Sequence, residues 1–574
     1  MKIISNIDNK IITIRRFKGM DKRTVKSDPL GSCYIENFRF MYDGSLQKRE
    51  GYEAVADIPG IIRAVWTGNM GGAQRCYILA SNTIYELSEN GEKQQIATAN
   101  TSSGNADFFH YKGQLYLIDG TGIYCVNKGS LSNPWGYVPL VGQLWKDGQV
   151  GDIHQPRNLL NDHARYSYIM GGNDSKILYF NEPIQSVDAI YINGVKLDSD
   201  TYVFAGDSAI AVRTLDNYDK VTVAVTYPPR SDASIDAYSC TQATVFGGAN
   251  NSRPFFWGNK EFPATMYSCG YVSDGELSQS KLFYPESDGF YIPENSEFTV
   301  GDGQFPVRAV SRHYDRLLIF TEGGAWMANN ADCSFESNPL ININMNVSVL
   351  SDGAAIPIEN QPCCIGSNAI WRWNSDTDEL NDCNAYSISE PISNYIPEGF
   401  YSNGRVFADN ARRELLFTGK DMPGTVLVYS IQNNAWSCFR GINADKFFNF
   451  FGKIGFCCSS ESSDSSTVYR FSKDAYTDAG KEINAYFESN PLNTDSAPPW
   501  RLSDIYVSYS EGGVQLSLDT DIRSNYISTK LPDSNELCNS HYRANTGRLN
   551  SLRIRVSATG AQRQILHSVG IKVK

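Results

Sequence analysis

The sequence predicts an all-β protein: a β-propeller of about seven blades, an inserted small β-sandwich, and an N/C-terminal β platform domain. Three observations carry that reading. First, the 574 residues include 33 Tyr and 47 Gly, with 12% aromatic and 41% hydrophobic residues, a mixture that favours short strands and turns over helices. Second, Ile61 to Trp66, Arg75 to Ala80, Thr83 to Leu87 and Gln94 to Thr98 are short apolar runs. Turns at Gly71-Gly72, Ser81-Asn82 and Asn90-Gly91 separate them, and four strands in about forty residues is the size of one propeller blade. Third, the stretch from His110 to Tyr124 aligns without gaps to His313 to Met327. Both give an apolar strand, an acidic-Gly turn and a strand with an aromatic residue, as expected of stacked units that cannot bury their faces alone.

In chain order, Lys10 to Phe17 is β-branched and reads as a strand, and Phe17-Lys-Gly19-Met-Asp21 turns away from it. Asp43-Gly44 is a two-residue hairpin signal, because glycine accepts positive φ without a Cβ clash. It predicts pairing of Tyr34 to Met41 with Leu46 to Tyr52, with Gly51 admitting another backbone at close range. From the residues alone, this is an ordinary solvated hairpin bearing the cations Lys48 and Arg49. A second blade starts at Ala106. Alternating strands between Lys176 and Tyr227 then predict a small sandwich inserted into a propeller loop. The segments 53–158 and 229–488 hold the blades, 159–228 the insert, and 1–52 with 489–574 the platform. Within the platform, Ile11 to Arg16 is expected to complete the C-terminal sheet and bring the chain ends together.

A formal charge of −12 argues against a surface that wraps nucleic acid, though not against a conduit through which DNA slides. Thirteen cysteines without regular spacing predict reduced core residues made in a cytoplasm. No signal peptide or apolar membrane run is read at the sequence level. The six histidines lack metal-ligand spacing, and His110 and His313 are expected to cap equivalent turns. Asp519-Thr-Asp521 opens like a calcium loop but lacks the glycine and glutamate such a loop requires, so a solvated strand end is expected. No nucleophile elbow, phosphate loop or sialidase box occurs. The expectation is a non-enzyme with no catalytic, cofactor-binding or metal residues and no cofactor. Propeller-type glycan binding or hydrolysis stands as the alternative from another class.

Phe17-Lys-Gly19-Met-Asp21, Asn37 and Asp43-Gly44-x-Leu46-x-x-Arg49-x-Gly51-Tyr52 resemble the opening of tail proteins of tailed bacteriophages. The likeness is to the tail nozzle, or tail tubular protein B, of short-tailed phages and to related packaged-DNA stabilisation proteins. Pro306 to Val310, Glu390 to Ser393, Arg413 to Phe417, Asn434 to Phe439 and Tyr469 to Phe471 continue it. Glu50 departs from the pattern, which has Pro between the Arg and the Gly. The resemblance implies a virion structural protein and a homo-oligomer, usually a hexamer, beneath the portal-adaptor ring. It implies tail fibres or spikes as neighbours, and packaged double-stranded DNA passing without sequence-specific binding. A neck stopper or tail-fibre adaptor is the structural alternative. Lys48 and Arg49 are then expected at a subunit contact.

Overall fold

The computed structural model describes residues 10–23, 31–145, 154–171, 176–199, 201–230, 235–248, 251–294, 296–314, 316–329, 340–374, 385–460, 464–493, 501–521, 523–524 and 526–573. Among these, four-stranded antiparallel sheets follow one another along the chain, each built by hairpins between neighbours in sequence. Blade one is Ile62–Met70, Ala73–Ala80, Thr83–Leu87 and Lys93–Thr98; blade two runs from Asp107–Tyr111 to Ser130–Ser132. Blade three runs from Gln242–Phe246 to Glu297–Thr299, blade four from Val307–His313 to Ile341–Asn344, and blade five from Ala355–Ile358 to Ala385–Ser387. Blade six runs from Arg405–Asp409 to Ala435–Arg440. The seventh has only three consecutive strands, Lys446–Phe450, Lys453–Ser460 and Ser465–Ser472. Its fourth comes from the other end of the chain: Gly51–Pro59 pairs antiparallel with Ser465–Ser472, from Gly51 opposite Ser472 to Pro59 opposite Ser465.

First strands pack against first strands around an axis: blade one on two, two on three, four on five, five on six, six on seven, and seven back on one. Blade three meets blade four through Phe255 and Trp257 against Leu317 and Ile319. The ring of seven is therefore closed, and an N-terminal strand locks it. Hydrophobic layers lie between blades, which is why strands such as Leu415 to Phe417 and Val426 to Tyr429 are buried on both faces. The repeat His110–Tyr124 and His313–Met327 falls on the first three strands of blades two and four. Of the two histidines, His313 bonds to a turn, the Glu359-Asn360 turn of blade five, and His110 packs between blades. His110 packs against Trp66 of blade one at 5.7 Å, and His313 Nδ1 lies 2.8 Å from the Asn360 carbonyl of blade five.

The platform is a sandwich. One sheet holds Phe38–Phe40, Leu46–Lys48, Ile565–Val573, Leu502–Ser510 and Cys538–Arg543; Lys10–Ile14 pairs with the chain's last strand, as the sequence predicts. The facing sheet, Ser32–Glu36, Ala485–Ser489, Ser551–Ala558, Gln515–Thr520 and Ile527–Lys530, continues the sheet of blade six outward. Leu516, Leu518, Ile554 and Val556 of one layer join Ile505, Val507, Val569 and Ile571 of the other in a shared core. Asp519 and Asp521 form no calcium loop: Asp519 pairs with Arg555 at 2.7 Å, and Asp521 accepts from Asn550. The break expected at Pro498 to Trp500 lies outside the described residues.

The insert is a five-stranded sheet over a three-stranded one. It begins earlier than the predicted boundary at 159, because Leu140–Trp145 pairs in parallel with His163–Ile169. The helix Asp274–Phe283 supports it from a loop of blade three. A capping box of Ser273 and Glu276 starts that helix. Phe283 meets Tyr191 of the insert at 4.9 Å, and Tyr284 packs beside Ala224 and Val138. Among the described residues, no helix is long and apolar enough to cross a membrane.

Burial of ionisable side chains sets an alkaline limit on this fold. It pushes the thiols of Cys76, Cys125, Cys240, Cys363 and Cys457 up to about 12. Each thiol stays neutral when folded but ionises from about pH 9 when unfolded, so the unfolded chain binds fewer protons between pH 9 and 12 and stability falls there. Lys48 opposes the trend. Burial lowers its ammonium to about 8, so the cost of that charge is relieved as pH rises from 8 towards 10.5. Five thiols outweigh one lysine. The unfolding free energy from urea titrations is expected to fall steeply above pH 9, by several kcal/mol at pH 10, at about 1.4 kcal/mol per thiol and pH unit. A flat profile to pH 10.5 contradicts this burial.

Candidate functional site

Two clusters of charge hold the chemistry of this chain, one at the junction of platform and propeller and one on the propeller axis. The first is built by the stretch that carries the family resemblance. Asn37 adopts φ +55°, which ends the strand Ser32–Glu36 and sends Phe38–Phe40 into the other platform sheet. The hairpin differs from the predicted two-residue turn. Phe40 pairs with Leu46, so five residues form the loop, and Asp43 Oδ1 accepts from the Ser45 amide at 2.9 Å. After Leu46–Lys48 the chain crosses at once into blade seven. Three sheets therefore meet between residues 32 and 59.

The close approach expected at Gly51 is present: a Cβ there would overlap the Thr477 carbonyl, and the Gly51 amide donates to Ala475 O at 2.6 Å. At Gly19, φ is +88° and a Cβ would sit 2.7 Å from the Trp436 nitrogen, beside the Met20 amide bond to Trp436 O. Tyr52 then packs on Phe456 at 5.0 Å and donates its hydroxyl to Gly441 O.

The two cations after the turn are not solvated. Lys48 and Arg49 each have 0% exposure, and their partners lie within the same chain. Arg49 donates through Nη1 to Asp478 Oδ1 at 2.8 Å, through Nε to Asn37 Oδ1 at 2.8 Å and through Nη2 to Arg440 O at 3.0 Å. Lys48 Nζ donates to Gly560 O and lies 3.4 Å from Gln564 Oε1. The expectation of a subunit contact at these two residues is therefore corrected. The Arg49 guanidinium fastens platform to propeller, and the Lys48 ammonium is held within the platform.

Beside them, Arg39 bridges two carboxylates, Glu50 through Nε at 3.0 Å and Glu414 through Nη1; Arg412 joins Glu50 and Asp409. Burial alone would raise the Glu50 carboxyl, but Arg39 and Arg412 overcome it and hold the group below its usual range. At Glu414 burial wins and the carboxyl is raised despite Arg39. Glu50 thus has a specific task, an ionic tie to blade six.

The second cluster lies where the first strands of six blades begin around the propeller axis. They surround a cavity of ≈ 280 Å³. Arg63, Arg405 and Lys446 face Asp107 and Asp352 there. Arg63 is held by three carbonyls, at 2.8 Å from Gly104, 2.9 Å from Ser81 and 2.7 Å from Thr101. Asp352 accepts from Asn105 at 2.6 Å and faces Arg308 at 3.6 Å. Asp107 Oδ1 accepts only from the adjacent Phe108 amide, and the Ala243 amide stands 3.5 Å from Oδ2. Among the described residues, Arg405 and Lys446 make no side-chain hydrogen bond or ion pair. Burial raises the Asp107 carboxyl against the pull of Lys446. It lowers Lys446 against the pull of Asp107, with the Arg405 charge adding to the depression. Sequence reasoning did not single out these residues. The available signal was a charged or polar side chain at the first position of several inner strands: Asp107, Gln242, Arg405 and Lys446.

A seven-bladed β-propeller locked by its N-terminal strand and fused to a two-layer platform is the class these observations define. No family model matches the chain, and no curated protein matches it in sequence. Among solved structures it is similar to PorZ, a bacterial surface component of the type-IX secretion system of Porphyromonas gingivalis. That match has 10% identity and a TM-score of 0.32, over 84% of this chain and 46% of PorZ, so the chain spans about half of PorZ's length. It is also similar to the AfRom2 CNH domain, with 6% identity and a TM-score of 0.35, over 74% of this chain and 97% of that one. Virginiamycin B lyase from Staphylococcus aureus matches at 10% identity and a TM-score of 0.24, covering 62% and 91%. Similarity at this level bears on neither substrate nor partner.

Proposed function

We propose that this chain is a structural virion protein of a tailed bacteriophage, forming the oligomeric tail nozzle or hub that retains packaged DNA and conducts it during ejection. The observation that carries the reading is where the resembling residues fall. Asn37, Arg49, Gly51 and Tyr52 converge on the junction at which platform, blade six and blade seven meet. Residues at that place define how the modules are joined, which is the property a channel-forming ring must hold constant between subunits. Rigid β modules and an acidic net charge of −12 suit a conduit that DNA leaves without sticking. The subunit contact lies elsewhere than at Lys48 and Arg49. A second reading, glycan binding by a propeller, draws support from the charged axial cavity, since a cavity with a few convergent polar groups is the default place for a small ligand. Single-particle electron microscopy of the purified chain separates the two: rings of six subunits are expected of the nozzle, compact monomers of the binding protein.

A further inference from the structure

We infer that the axial cavity is a binding site for a small oxyanion, the phosphate or carboxylate of a monosaccharide-sized ligand, gripped between Lys446 and Arg405 with Asp107 receiving a neighbouring hydroxyl. This site lies within one subunit, needs no ring, and stands whether or not the nozzle reading holds.

Side chains at the starts of inner strands point towards one another across a space too narrow for free solvation, so their charges are matched within the protein or by something bound. Here the matching is incomplete. Arg63 is saturated by carbonyls and Asp352 by Asn105 and Arg308. Lys446 and Arg405 are both half-buried cations on the same cavity; Asp107 attracts Lys446, but among the described residues neither cation makes a side-chain hydrogen bond or ion pair. The Arg405 charge adds to the depression of the Lys446 ammonium, a strain that an anion between them would relieve. The balance at the cavity is three cations against two carboxylates, in a chain that is otherwise strongly acidic.

Size and lining restrict the ligand. A volume of ≈ 280 Å³ sits at the small end of ligand pockets, which run from about 300 to 1,000 Å³. That admits one sugar acid or sugar phosphate and excludes a duplex. Phe407, Phe447, Val406 and Ile356 supply an apolar wall beside the charges, as a ring with one charged and several hydroxyl substituents requires. Asp107 has spare acceptor capacity on Oδ2 for a hydroxyl donor. A guanidinium and an ammonium for the oxyanion, and a carboxylate for a hydroxyl, give orientation as well as attraction.

The test uses the full-length chain, titrated calorimetrically at low ionic strength with inorganic phosphate, glucuronate and glucose. Saturable one-site binding of phosphate, glucuronate or both is expected, and none of glucose; which anion binds tells the ligand's charged group. Lys446→Met and Arg405→Gln are each expected to weaken binding about tenfold or more, the loss typical of a charged hydrogen bond. Arg405→Lys, which keeps the charge, is expected to retain most of the affinity, and it covers the case in which a neutral variant fails to fold. Asp107→Asn is expected to alter glucuronate binding and leave phosphate binding alone. Absence of saturable binding of either anion to the folded protein overturns the inference. So does affinity that is unchanged in a folded Lys446→Met or Arg405→Gln chain.

Discussion

Replacing Arg39 by methionine is expected to lower the unfolding free energy by about 3–5 kcal/mol, the cost of breaking a buried ion pair from one side. Arg39, Glu50 and Glu414 are each almost wholly inside the protein, with side-chain exposures of 6%, 6% and 4%. Methionine fills much of the space but leaves two carboxylates facing each other, with Arg412 reaching only Glu50. The carboxylate already raised by burial, Glu414, is the one expected to take up a proton. Two consequences separate this from a packing defect. The deficit in the variant shrinks as the pH is lowered towards 5. The double variant Arg39→Met with Glu414→Gln recovers part of the loss, since it removes one of the stranded charges. Denaturant midpoints measured across pH check both. An equal deficit at pH 5 and pH 8, with no recovery in the double variant, contradicts the ionic account.

The second large effect is expected at the lock of the ring. Ile58 lies in the N-terminal strand of blade seven, has 0% exposure, and packs with Phe450, Val468 and Ile78 between blades seven and one. Ile58→Asp places a charge in that layer with no counter-charge beside it. It is expected to cost about 4 kcal/mol or more and to yield an open, aggregation-prone propeller with an unpaired strand edge at Ser465–Ser472. Ile58→Val, which removes one methylene, is expected to cost about 1 kcal/mol. Soluble yield and the denaturation midpoint measure the difference. If Ile58→Asp melts like the parent, the N-terminal strand does not close the ring.

What the sequence reveals of this architecture divides by the range of the interaction. Blade one was readable to within a residue or two, apart from the end of its first strand, which continues past Trp66 to Met70, because its four strands are neighbours and Gly71-Gly72, Ser81-Asn82 and Asn90-Gly91 mark its turns. The tight passage at Gly51 and the union of the chain ends were also readable, from a glycine in a strand and from leftover strands at both termini. The destination of Gly51–Pro59 was not. Its pairing partner, Ser465–Ser472, lies at the opposite end of the propeller sequence, and local pattern carries no information about that. For the same reason Lys48 and Arg49 looked like a solvated pair. Two cations after a turn are usually at the surface, and their partners Gln564 and Asp478 are remote in sequence. The insert's first strand escaped notice because Leu140–Trp145 pairs in parallel across a polar connection. The axial cluster could not be assembled from sequence at all, since Arg405, Lys446 and Asp107 come together only when the ring closes.

The direct test of the functional account is the assembly state of the purified full-length chain, seen by single-particle electron microscopy. The account predicts rings of six subunits around a channel wide enough for duplex DNA, with the contacts between subunits made by surfaces other than Lys48 and Arg49. A population of isolated propellers that stays monomeric at high concentration contradicts it.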